Sequence, residues 1–134
     1  MSEPNQQTEV VLAKLKSYSL FAELLEHYLC QRQMLPAHLA ERVFVEPATI
    51  SHWRKNKRLP DNLGIIHQVC VALALPPPER ENLVVAWCNT RLIRDLIPYL
   101  EEATKAGDGE HALRVVRILI GSSPSGLLQA KEER

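Results

Sequence analysis

The stretch Leu39–Pro60, LAERVFVEPATISHWRKNKRLP, decides the reading of this chain. It holds an amphipathic segment, a break at Phe44-Val45-Glu46, a second short segment opening at Pro47, and a basic exit through Arg54, Lys55, Lys57 and Arg58. Leu39, Ala40, Val43, Val45, Ile50 and Trp53 are spaced so that two short helices bury one common seam. The small Ala40 permits close approach where the helices cross. Ile50 and Trp53, three apart, point inward together and leave Ala48, Thr49, Ser51, His52 and Lys55 on the remaining circumference. A pair of brief helices joined by a turn of three or four residues is a shape that a DNA major groove accepts. The cations at the end of the second helix are then placed to meet phosphates. They also suit a solvated helix C-terminus, where each cation contributes roughly 0.3–1 kcal/mol.

Outward from this stretch the pattern remains helical, so an all-α fold is expected. Towards the N-terminus, Thr8 is a fair N-cap for a short leading helix. Ser19 suits the cap of the next helix, whose Phe21, Leu24, Leu25, Tyr28 and Leu29 form one apolar stripe. Pro36 restarts helix over 36–43. Beyond the basic exit, Asn56 tolerates the left-handed conformation used just past helix ends. Pro60-Asp61 is expected to open a helix with Leu63, Ile66, Val69, Cys70 and Leu73 inward. Pro76-Pro77-Pro78 is a break, after which helix resumes from Glu79 through Leu83, Val84 and Trp87. A further helix is expected over 92–105, with Pro98 as a point of bending, then a turn at Gly107-Asp108-Gly109 and a last apolar helix over 110–120. Gly121–Gly126 reads as a linker.

Composition narrows the function classes. The 134 residues, 46% hydrophobic and 24% charged, are those of a globular protein with a real core. Sixteen basic and sixteen acidic residues cancel, so any nucleic-acid argument rests on where charges sit rather than on their sum. Cys30, Cys70 and Cys88 are scattered and odd in number, as expected of reduced thiols in the cytoplasm. No export pattern or membrane-length apolar run is present. His27 with Cys30, and His67 with Cys70, share helix faces, but such pairs lack the spacing of zinc motifs, and Cys70 falls on a core face. No glycine-rich phosphate loop or marked nucleophile indicates an enzyme, and no cofactor is expected.

Residues 21–87 resemble the Xre/Cro-like helix-turn-helix family of transcription regulators. The resemblance is carried by Leu39-Ala40, Val45, Thr49-Ile50-Ser51, Trp53, the exit Asn56-x-Arg58-x-Pro60, the run Leu63–Leu75 and the run Pro78–Leu83. It implies a five-helix, lambda-repressor-like domain over 19–91, with an N-terminal extension over 1–18 and a C-terminal helical extension over 92–134. It further implies a cytoplasmic, dimeric binder of double-stranded DNA that is not an enzyme. Ala48, Thr49, Ser51, His52 and Lys55 would face bases, and Lys55, Lys57 and Arg58 the backbone, with Arg54 a lesser candidate. This chain departs from the family in several places. Phe44 stands where members usually carry glycine; because phenylalanine at positive φ is strained, a turn of different build is expected. Gln33, Leu35 and Pro36 replace a glycine, a polar cap and a phosphate-binding glutamine. Leu29 and Arg54 replace an arginine–glutamate pair, which would leave Arg54 to solvent or phosphate. Pro47 and Ala48 make direct readout thin, although alanine can meet a thymine methyl. An alternative is therefore a protein-interaction module that keeps the core without DNA binding. The apolar surfaces of 92–120 either cap the monomer or form a dimer seam.

Overall fold

The computed structural model of the chain describes residues 4–121. Seven α-helices follow one another, and no strand occurs among the described residues: α1 (Pro4–Ser17), α2 (Leu20–Gln31), α3 (Pro36–Arg42), α4 (Pro47–Arg54), α5 (Leu63–Ala72), α6 (Pro77–Lys105) and α7 (Gly109–Gly121). The described residues divide into two compact units, one of Ser19–Thr90 and one combining residues 4–18 with 91–121. The division falls inside α6, which contributes to both. No helix among the described residues is long and apolar enough to cross a membrane.

In the unit of Ser19–Thr90 the stripe of α2 turns inward as its spacing dictates. Phe21, Leu25, Tyr28 and Leu29 are buried, and Leu24 packs at the margin. They share one core with Leu39, Ala40, Val43, Ile50, Trp53, Ile66, Val69, Leu73, Leu83 and Trp87. Helix α3 packs against both α4 and α5, and α2 packs against α4. Prolines at the first turns of α3 and α4 begin helices where an N–H would be unsatisfied in any case. In the other unit α1 packs against α7, with Val11, Leu15, Ala112, Leu113, Val116 and Ile120 buried. Lys16 and Glu101 form an ion pair at 3.1 Å there.

Several expectations are corrected. Thr8 lies inside α1 and is buried rather than capping it. Helix α5 starts at Leu63, not at Pro60-Asp61, because the Asn62 side chain accepts from Ile65 N at 3.0 Å and supplies the cap. Leu63 thereby lands on the first turn and is 50% exposed instead of inward. The two helices expected from Glu79 through Trp87 and over 92–105 are one continuous helix, since no breaker lies between Trp87 and Leu92. Thr90 Oγ1 meets its need within that helix by donating to Ala86 O at 2.7 Å. Pro98 sits inside the helix without ending it. Gly121 closes α7 rather than starting a linker, and the rest of that stretch lies outside the described residues.

Candidate functional site: the α3–α4 hairpin and its basic exit

Helix α4 runs eight residues and ends at Arg54, with Lys55 as its C-cap. Ile50 and Trp53 are buried, which fixes the helix's rotation. Ala48 and Lys55 are exposed, and Thr49, Ser51 and His52 are half-buried along the sides. The Nδ1 atom of His52 is buried with no hydrogen-bonding partner among the described residues. Glu46 is the N-cap residue but makes no side-chain capping bond, so the first turn's amides are not closed by it.

The exit from α4 has a defined geometry. Asn56 adopts φ +60°, Asn56 N donates to Trp53 O at 3.2 Å, and Lys57 N donates to His52 O at 2.9 Å. These are the two bonds of a Schellman motif, with Asn56 as its left-handed residue. Arg58 N also donates to His52 O, at 3.3 Å. Lys57 and Arg58 have exposed side chains, Leu59 packs on the core, and Pro60 is buried. The Pro60 carbonyl accepts from Trp87 Nε1 at 2.8 Å in a buried bond. The cationic loop is therefore held at both ends.

The turn between α3 and α4 uses the longer-range of these two bonds and the same left-handed position. Phe44 adopts φ +60° and Val45 N donates to Ala40 O at 3.0 Å. The expectation of a differently built turn is thus corrected: the phenylalanine takes the left-handed conformation itself, and the residue is 89% exposed. A cleft of about 440 Å³ lies beside it, bordered by Phe44, Glu46, Trp53, Arg58, Leu59 and Asp61. Helices α2 and α5 close identically, through Gln33 and Ala74, both at φ +52°. Met34 N donates to Leu29 O at 3.0 Å and Leu75 N to Cys70 O at 3.1 Å.

Arg54 is not left to solvent or phosphate. Its guanidinium grips the Glu26 carboxylate of α2 with two bonds, Nε to Oε2 and Nη2 to Oε1, the latter at 2.9 Å. The hydrogen bond to Arg54 holds the Glu26 carboxyl below its usual range against a smaller opposing effect of burial. Arg54 is raised by the same bond. The chain thus carries an acid on α2 and a base at the end of α4, a pairing that the family's two positions, held here by Leu29 and Arg54, do not suggest. The signal available was an acid one turn before Leu29 on the same helix.

Other candidate positions separate. Cys70 is buried and its thiol raised by that burial, whereas Cys30 is exposed. Among the described residues no cluster of three or more His, Cys, Asp or Glu side chains is placed to hold a metal ion. Comparison with protein-family profiles, characterised proteins and solved structures returns no match to this chain.

Proposed function

We propose that this protein is a sequence-specific regulator of transcription that binds double-stranded DNA through α4, on a lambda-repressor-like five-helix domain of Xre/Cro type. One observation carries the reading. Of the four left-handed helix closures in the unit of Ser19–Thr90, those of α2, α3 and α5 are followed by the apolar residues Met34, Val45 and Leu75, buried or half-buried. The closure of α4 is instead followed by exposed Lys57 and Arg58, next to exposed Lys55. An apolar contact frequently accompanies this motif, and exposed cations in its place suit a phosphate partner. Phosphate is the partner that a short helix flanked by cations fits.

In this reading α4 lies in the major groove. Ala48 meets a thymine methyl, Thr49 and Ser51 bond base edges, and Lys55 reaches guanine O6 or N7, with His52 beside them. Lys57 and Arg58 neutralise backbone charge, and Arg54, committed to Glu26, takes no direct part. No catalysis is assigned, and the setting is the cytoplasm. Two half-sites require two copies, and Ile118 and Leu119, exposed on α7, supply apolar surface for that pairing. The test is fluorescence anisotropy with random duplex at low salt, where non-specific Kd values of about 10⁻⁴–10⁻⁶ M are expected. Absence of binding at tens of micromolar overturns the reading.

A second reading has its own support. Phe44 leaves a large aromatic side chain exposed at the tip of the α3–α4 turn, where it adds nothing to the core. A protein partner that covers Phe44 would account for it, and a null result with duplex DNA turns the assignment to that interaction module.

A further inference from the structure

We infer that Trp87 is a positioning residue for DNA binding: its indole N–H clamps the Pro60 carbonyl and so presents Lys57 and Arg58 already ordered to phosphate. The inference rests on the DNA-binding reading of α4. Neither Trp87 nor Pro60 is an exposed contact residue, since both are buried.

The argument begins with what the α4 exit lacks. The other three closures of this unit drop an apolar residue onto the core directly after the left-handed position, at Met34, Val45 and Leu75. That residue fixes the direction in which the chain leaves the helix. After Asn56 the corresponding residue is Lys57, whose side chain is exposed. Anchoring is deferred by two residues, to Leu59 against the core and to Pro60 through the 2.8 Å bond from Trp87 Nε1.

Lys57 and Arg58 are therefore bracketed. Their amides both bond His52 O on one side, and the Leu59–Pro60 anchor holds the other. A loop bracketed in this way loses little freedom when it meets a phosphate, which is how preorganisation raises affinity. The donor comes from α6, 27 residues away in sequence, so the effect reaches the contact surface from a side chain that never touches it.

The experiment compares the full chain with Trp87→Phe, which keeps a ring but removes the donor, and with Leu59→Ala, which loosens the same loop without altering α6. Amide hydrogen exchange is read first, without DNA. Faster exchange at Lys57 and Arg58 is expected in both variants, with the Met34 and Val45 amides of the sister closures unchanged. Duplex affinity should then fall about tenfold, the fold-change that matches re-ordering roughly one residue of backbone. The slope of log K against log salt should stay the same, because the same cations still displace the same counterions. A purely structural role would not preserve the slope and confine the exchange effect at once. Unchanged exchange at Lys57 and Arg58, acceleration shared equally by Met34 and Val45, or unaltered affinity overturns the clamp's role. If the unmodified chain binds no duplex while the exchange pattern holds, the DNA reading fails and takes with it the purpose given to the clamp.

Discussion

The exits of α3 and α4 share one backbone design and spend it differently. Each ends in an arginine, Arg42 or Arg54, each passes through a left-handed residue at φ +60°, and each is closed by a bond back to the last turn. At α3 the left-handed residue is Phe44, which pays strain outside, and the next residue, Val45, is packed inside. At α4 the left-handed residue is Asn56, which tolerates the conformation, and the next is the exposed Lys57. The first exit is built for the core and strained at its tip. The second is relaxed at its tip and directs charge outward. A shared motif fixes where the chain turns, and the residue types within it decide what the turn offers to a partner.

The largest expected effect removes what both exits rest upon. Trp53 is buried and lines the same cleft as Phe44, Arg58 and Leu59. Trp53→Ala should cost about 3–5 kcal/mol, read as a drop in the urea midpoint at constant m-value. A cost below about 1 kcal/mol, well under the usual range for such truncations, would show that the two exits do not depend on a common support.

The next effect separates the exits by function. Replacing Lys57 and Arg58 together by alanine should flatten the salt dependence of duplex binding by about one to two units of slope. Stability should stay within about 0.5 kcal/mol, as for exposed positions generally. An unchanged slope would remove these side chains from any phosphate contact and leave the charged exit without a role.

A smaller effect tests the tips. Phe44→Gly relieves left-handed strain of about 1–2 kcal/mol, offset by the greater freedom of glycine in the unfolded chain, for a net gain of about 0.5–1 kcal/mol. Asn56→Gly should gain no more than a few tenths. Equal gains in thermal midpoint at the two sites would mean that Phe44 is not strained more than Asn56. A loss at Phe44 would point to packing by its ring that the exposed position does not suggest.

Much of this architecture is legible in the residues because it follows from short-range rules. The inward positions of Phe21, Leu25, Leu29, Ile50 and Trp53 are helical periodicity, and the left-handed turn at Asn56 is its own conformational tolerance. What the residues do not reveal involves choices between equivalent local signals or contacts across the fold. Pro60-Asp61 and Asn62 both look like helix starts, and the cap bond to Ile65 N decides for Asn62. Phe44 is unfavourable by local sterics, yet the Val45 anchor and the α3–α4 packing impose the turn. The Glu26–Arg54 pair joins residues 28 apart, and nothing local announces which acid on α2 will meet α4.

That pair carries the smallest and last prediction, because it completes the contrast between the two terminal arginines. Arg42 at the end of α3 lies 3.5 Å from the Ala72 carbonyl, a neutral acceptor, so its contact is indifferent to mild acid. Arg54 at the end of α4 lies on a carboxylate whose ionised form it stabilises. Since the folded pKa of Glu26 is depressed below its unfolded value, the stabilisation is fully present above the ordinary glutamate range. It is lost as pH falls through the lowered folded value. The side chains are 34% and 43% exposed, so solvent screening keeps the pair's worth to about 0.2–1 kcal/mol. Unfolding of the unmodified chain and of Glu26→Gln should therefore differ by that amount near pH 7 and converge in acid, with the gap closing below the ordinary glutamate range. A gap that persists undiminished at low pH would assign the effect of Glu26 to packing. Arg54 would then be held by the crossing of α2 and α4 rather than by its partner's charge.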